Sequence, residues 1–146
     1  IAVGSDHGGF SLKGRLADDL RGLGHEVIDL GTHSADRVDY PDFGAAVGRA
    51  VAGAEVELGV CVCGSGIGIA MAANKVPGVR AATVHDATSA RLAREHNDAN
   101  VLCLGERLLD PDVASEAVRA WLGAAFEGGR HVGRVAKLAE LDGSGA

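Results

Sequence analysis

Five runs of small and β-branched apolar residues punctuate the chain, each followed by a turn and then a stretch with helical spacing. They are Ile1–Gly4, His25–Leu30, Leu58–Val62, Arg80–Val84 and Val101–Leu104. Strands that are apolar nearly throughout have no face to give to water, so the sheet they form must be covered on both sides. Strands separated by a helix are not joined by hairpins, which leaves parallel neighbours linked by crossovers. The alternation predicts an α/β protein, a Rossmann-like three-layer α/β/α sandwich with a five-stranded parallel sheet and a C-terminal helix.

The intervening segments supply the helices. Phe10, Leu12, Leu16, Leu20 and Leu23 repeat at helical spacing, with Gly24 placed to end that helix. Further helices are expected from about Phe43 to Ala52, from the Gly66–Gly68 turn to about Asn74, from about Asp86 to Glu95 and from about Pro111 to Phe126. Pro111 stands at a first turn, where a missing N–H costs nothing. Gly128-Gly129 breaks the pattern, and Arg130–Leu141 reads as the last helix. No repeat or wide linker divides the chain, so residues 1–146 are expected to form one domain.

Composition removes several function classes. The 22 glycines lack a period of three and are accompanied by only 3 prolines, which excludes a collagen-like or disordered Pro/Gly tract. A net charge of −6 offers no footprint for nucleic acid, and with 3 % aromatics there is no stacking platform for single strands. No apolar run approaches the ~18 residues of a membrane span. No signal-peptide pattern opens the chain, since Ile1 already begins a strand-like run; an initiator Met or a few residues are expected to be missing before it. Three cysteines without C-x-x-C spacing point to a reduced, cytoplasmic protein with no structural zinc.

In sheets of this kind ligands bind beyond the carboxyl ends of the strands. The loops after strands one and three lie there. The second, Cys63-Gly64-Ser65-Gly66-Ile67-Gly68, frees backbone N–H groups before a helix, a setting for an anion or a developing oxyanion. Ile69 removes both a G-x-G-x-x-G dinucleotide fingerprint and a Cys-x5-Arg phosphatase loop. Cys63 stands at the strand end against a helix start, where thiols become reactive, whereas Cys61 and Cys103 read as packing residues. Ser65 either caps the next helix or serves the site. Asp6 and His7 belong to the same sheet edge as Cys63. His96 belongs to the opposite end, so a site using both requires a neighbouring subunit. Arg130, Arg134 and Lys137 at i, i+4 and i+7 make one basic helical face on an acidic chain, suited to a small anion such as phosphate, with Arg107 able to join.

Several motifs stand in order along the chain: Asp6-His7-Gly8-Gly9-Phe10 with Leu12-Lys13, Asp39-Tyr40-Pro41, Cys63-Gly64-Ser65-Gly66-Ile67-Gly68, Ala72-Ala73-Asn74-Lys75, Arg94-Glu95-His96-Asn97-Asp98 and Gly128-Gly129-Arg130-His131. Together they resemble the type B ribose-5-phosphate isomerases and their galactose- and allose-6-phosphate relatives, over essentially the whole chain. The resemblance implies a metal-free, cofactor-free aldose–ketose isomerase that works through a cis-enediolate. It implies Cys63 as the base between C1 and C2, the amides of Gly64 to Gly68 around the oxyanion, and His96 opening the furanose ring with help from Ser65, where many relatives carry Thr. A branch of the family uses a Glu where this chain has Ile69, so the Cys branch is the one resembled. Asp6, Tyr40 and Asn97 are implied on sugar hydroxyls, and His7, Arg107, Arg130 and Arg134 on the phosphate. Homodimers or tetramers with shared sites are implied too.

Two readings compete with ribose 5-phosphate isomerisation. One is the same reaction on allose 6-phosphate, galactose 6-phosphate or a tetrose 4-phosphate. The other is a non-catalytic phosphosugar-binding protein, which would have no use for Cys63 and His96 together.

Overall fold

The computed structural model describes residues 1–145. Its centre is a five-stranded, all-parallel sheet in the order β2-β1-β3-β5-β4, as the alternation of apolar runs requires. The strands are β1 (Ala2–Ser5), β2 (Ile28–Asp29), β3 (Gly59–Cys63), β4 (Ala81–Thr83) and β5 (Val101–Gly105). Around them run α1 (Phe10–Gly22), α2 (Tyr40–Ala52), α3 (Ile67–Ala73), α4 (Ala87–Asn97), α5 (Pro111–Gly123) and α6 (Arg130–Asp142). None of these helices is long and apolar enough to cross a membrane.

The period of two along each strand sorts the core into two layers. Val3, Val60, Val62, Leu102 and Leu104 pack with Leu16 and Leu20 of α1, Ala90 of α4 and Trp121 of α5. Their alternating neighbours Ala2, Cys61, Cys63, Val101 and Cys103 pack with Val47 of α2 and Ile69 and Ala73 of α3. Small residues on this second face let α2 and α3 approach closely: a Cβ on Gly44 would lie 2.7 Å from the Ile69 carbonyl oxygen.

The edges of the sheet depart from expectation. Of His25–Leu30 only Ile28 and Asp29 form ladder, with Ile28 43 % exposed, because an outer strand has one neighbour and little apolar surface to hide. The other edge strand, β4, likewise shortens to three residues. Helix α2 begins at Tyr40 rather than Phe43, with Pro41 in its first turn, and α5 stops at Gly123 rather than Phe126. The segment so released runs back toward α4, where the Glu127 amide donates to the Glu95 carbonyl at 2.9 Å.

Candidate active site

Strand β1 leads outward to β2 while β3 lies on its other side, so the connections diverge between β1 and β3. A crevice opens at such a point, beyond the carboxyl ends of the strands. Here the loops after β1 and β3 meet in it. Gly9 permits the meeting, since a Cβ there would stand 2.4 Å from the Val62 carbonyl oxygen. An open cavity of about 560 Å³ lies over the two loops, bounded by Asp6, Tyr40, Cys63, Gly64, Ser65, Gly68 and Arg107 and rimmed by Ile67, Met71 and Leu108.

Cys63 ends β3 with 4 % of its surface exposed. The Gly66 N–H donates to its Sγ at 3.1 Å, which fixes the sulfur and places a positive backbone dipole against it. That contact demands the left-handed backbone of Gly66 (φ 76°), a conformation open to glycine. The turn is fastened from three sides. Thr83 Oγ1 donates to the Gly66 carbonyl at 2.8 Å, and the amides of Glu106 and Arg107 donate to the carbonyls of Cys63 and Gly64, both at 3.0 Å. Ser65 Oγ accepts the Ile67 N–H at 3.2 Å in a local turn at the edge of the cavity, while the N-cap position of α3 is Gly66, with no side-chain cap. The other two cysteines are buried packing residues; the Cys103 thiol is pushed up by its bond to Cys61 and by burial.

Asp6 is buried and accepts the Gly9 N–H on Oδ1 at 3.2 Å, holding the short turn His7–Gly9. His7 is half-buried, its Nδ1 3.1 Å from both the nitrogen and the carbonyl oxygen of Val38. The Tyr40 ring, 41 % exposed, lies on the Gly68 backbone, and the Arg107 guanidinium lies over Gly64. Asp6, Tyr40, Cys63, Ser65, the loop glycines and Arg107 therefore converge.

His96, Asn97, Arg130 and Arg134 do not join them. β3 and β5 run parallel with Gly59 beside Val101 and Cys63 beside Gly105, and His96 and Asn97 precede Val101. They stand at the opposite end of the sheet, at least a strand's length of roughly 13 Å from Cys63. There His96 stacks on His131, ring centroids 4.4 Å apart and planes 16° from parallel. Glu127 faces both rings, 3.7 Å from His96 Nε2 and 3.9 Å from His131 Nε2. Arg130 and Arg134 project exposed from the same start of α6. Glu127 and His131 carry no role expected from the sequence. The signal was their i, i+4 spacing across the Gly128-Gly129 break, which places both beside the adjacent arginines.

One chain thus carries a thiol with an amide-lined turn at one end of the sheet and a histidine–arginine cluster at the other. The profile of the Ribose/Galactose Isomerase family matches residues 1–138. Ribose-5-phosphate isomerase B of Escherichia coli is 48 % identical over 142 residues, 97 % of this chain and 95 % of that protein. The structure of Clostridium thermocellum ribose-5-phosphate isomerase B superposes with a TM-score of 0.96 at 53 % identity, covering 97 % of this chain and 96 % of the other. A Mycoplasma genitalium ribose-5-phosphate isomerase B, solved with bound ribulose 5-phosphate, gives 0.94 at 41 % identity over 97 % and 95 % of the two chains. With matches that run almost from end to end in sequence and in fold, this chain belongs to the ribose/galactose isomerase family.

Proposed function

We propose that the chain interconverts ribose 5-phosphate and ribulose 5-phosphate through a cis-enediolate, in sites each built from two copies of the chain. The observation that carries this reading is Cys63, buried at the floor of an open cavity with its sulfur held by the Gly66 amide. Enolisation needs a positioned base and a stabiliser for the oxyanion, and this turn supplies both from one short segment.

In the open aldose, the Cys63 thiolate takes the proton from C2. The electron pair forms the C1=C2 bond and O1 becomes the oxyanion. The Gly66 and Ile67 amides are engaged within the turn, so the oxyanion falls to those of Gly64, Ser65 and Gly68. A proton passes from O2 to O1, the thiol returns its proton to C1, and the 2-ketone results. Asp6 retains one carboxylate oxygen beyond its Gly9 bond for a sugar hydroxyl, and Tyr40 with Asn97 of the second copy takes others. Arg107 and His7 approach the phosphate from the thiol side. Arg130 and Arg134 of the second copy approach it from the other, bidentate donors that suit its oxygens. His96 of the second copy opens the ring, with Ser65 beside it. Three unpaired cysteines fit a reducing, cytoplasmic setting.

The test is isomerisation of ribose 5-phosphate beside allose and galactose 6-phosphates, with EDTA present throughout. Turnover is expected with ribose 5-phosphate and is expected to survive the chelator. Cys63→Ala is expected to lose at least 1,000-fold in kcat, on the order expected for removing an acid–base group, while a sugar phosphate still binds in calorimetry. A Cys63→Ala variant with wild-type turnover would overturn the assignment.

A further inference from the structure

His96, Glu127 and His131 present ligand atoms that all lie within 4.8 Å of one another, as a metal site would. The ring geometry argues otherwise. An imidazole lone pair lies in the ring plane, and these two planes are 16° from parallel and stacked at 4.4 Å. Their lone pairs run side by side instead of meeting at a point ~2.0–2.1 Å from each nitrogen, as zinc requires. A second observation also needs a reason: the His131 side chain is 6 % exposed and its Nε2 has no hydrogen-bond partner. Buried polar atoms are nearly always paired, so a native exception marks a place held for another purpose.

We infer that His131 is a positioning residue for His96: its flat ring is the platform on which the His96 imidazole lies, with Glu127 facing the Nε2 of both. The inference rests on the ring-opening role proposed for His96. In that step His96 takes the proton from the anomeric O1, the C1–O4 bond breaks as C1=O1 forms, and the proton is delivered to O4. A base that receives and returns one proton must keep one orientation throughout. Desolvation, then Arg130, His96 and Arg134, push the His131 imidazole below its ordinary value against Glu127 alone, and this downward shift favours its neutral form. A neutral platform adds no positive charge against His96 when His96 is protonated. The Glu127 amide bonded to the Glu95 carbonyl at 2.9 Å ties the backbone of Glu127 to the end of α4, beside His96.

The test separates ring opening from proton transfer. Ribose 5-phosphate enters as a closed furanose. Ribulose 5-phosphate has no ring, because its C5 oxygen carries the phosphate and cannot close on C2. In His131→Ala, kcat with ribose 5-phosphate is expected to fall about tenfold or more, a modest share of what acid–base catalysis supplies, with KM within about twofold. Exchange of the ribulose 5-phosphate C1 hydrogen with solvent deuterium, a partial reaction that never forms a ring, should stay within about twofold of wild type in the same variant. His131→Phe retains a flat ring and is expected to lie between, and it also guards against simple misfolding of the alanine variant. A loss of the exchange reaction equal to the loss of turnover would overturn the inference, as would full activity on ribose 5-phosphate or a loss confined to KM. A phenylalanine variant as slow as the alanine one would overturn the role of the stack. Failure of the underlying reading has a different signature: wild-type protein idle on both substrates, or Cys63→Ala active on ribulose 5-phosphate.

Discussion

Gly66 shows how much of the chemistry rests on one backbone conformation. Its left-handed φ of 76° turns the chain off β3 so that its own N–H reaches the Cys63 sulfur. A Cβ at this position would lie 2.7 Å from the Leu104 carbonyl carbon. Gly66→Ala therefore meets two obstacles, the left-handed penalty of roughly 1–2 kcal/mol for an L-residue and a contact against backbone that has no rotamer to yield. A lower melting temperature is expected, together with a loss of kcat larger than the stability change explains, because the N–H moves off the sulfur. Unchanged melting and turnover would show that the turn tolerates a different path. The places of Cys63, Ser65 and the loop glycines at the end of β3 are legible in the sequence, because a strand end and a glycine turn are written within a few positions. Residues whose role depends on distant chain are not. Lys13 is the plainest case: a lysine on an amphipathic helix is expected outside, yet this one is 2 % exposed. Its Nζ donates to Asp29 at 2.9 Å and to the Thr32 carbonyl, and lies 5.4 Å from the Phe10 ring centroid. Glu127 and His131 were missed for the same reason, since their partner His96 belongs to another element.

Among the elements, the inner strands and the packed helices were legible because burial imposes a period, while edges and ends depend on partners the period does not describe. β2 shortened where it had one neighbour, and α2 began early because Asp39 and Pro41 open a helix better than an apolar count can detect. Helix α6 is the least buried of the helices, its one buried residue being His131, so few contacts hold it. One of them is the Asp142 carboxylate at its far end, which accepts the Gly78 N–H on Oδ2 at 2.9 Å and the Ser144 N–H on Oδ1 at 2.8 Å. Bonds from Ser144 and then from Gly78 hold this carboxyl below the ordinary aspartate range. A depressed carboxyl stabilises the fold above its unfolded value near 3.9, and that contribution fades as pH falls through the lower folded value. The anchor of α6 is thus complete at neutral pH and releases only below about pH 4. The amide shift of Gly78 in nuclear magnetic resonance should be flat from pH 8 to pH 5 and move below pH 4. Asp142→Asn should displace that shift already at pH 7 and remove its acid transition. An unaltered Gly78 resonance in the variant would mean that the carboxylate does not hold the helix.

For the whole molecule, the parallel sheet makes a demand that no local feature could. Every strand delivers its following loop to one end and receives its preceding helix at the other, so Cys63 after β3 and His96 before β5 are held apart by the strands between them. No loop movement brings them together without dismantling the sheet. In the two-copy site proposed above, a twofold axis would resolve this, because each copy could offer its carboxyl-end thiol to the other's histidine cluster, giving two equivalent sites. The apolar side chains of Ile67, Met71 and Leu108 around the cavity are 49 %, 63 % and 59 % exposed, and the proposed second copy would cover them. The arrangement predicts complementation between two inactive proteins. Cys63→Ala homodimers lack the base in both sites, and His96→Asn homodimers lack the ring-opening group in both. In a mixed dimer one site receives both lesions and the other receives neither. Unfolding an equal mixture and refolding it should make about half the dimers mixed, each with one intact site of two, and restore about a quarter of wild-type turnover on ribose 5-phosphate. The two proteins refolded separately and then combined without exchange should stay inactive. If the mixture also stays inactive while size-exclusion and mass measurements show mixed dimers present, Cys63 and His96 do not share a site across the interface. If monomeric protein at high dilution keeps full specific activity, one chain suffices and the twofold model fails.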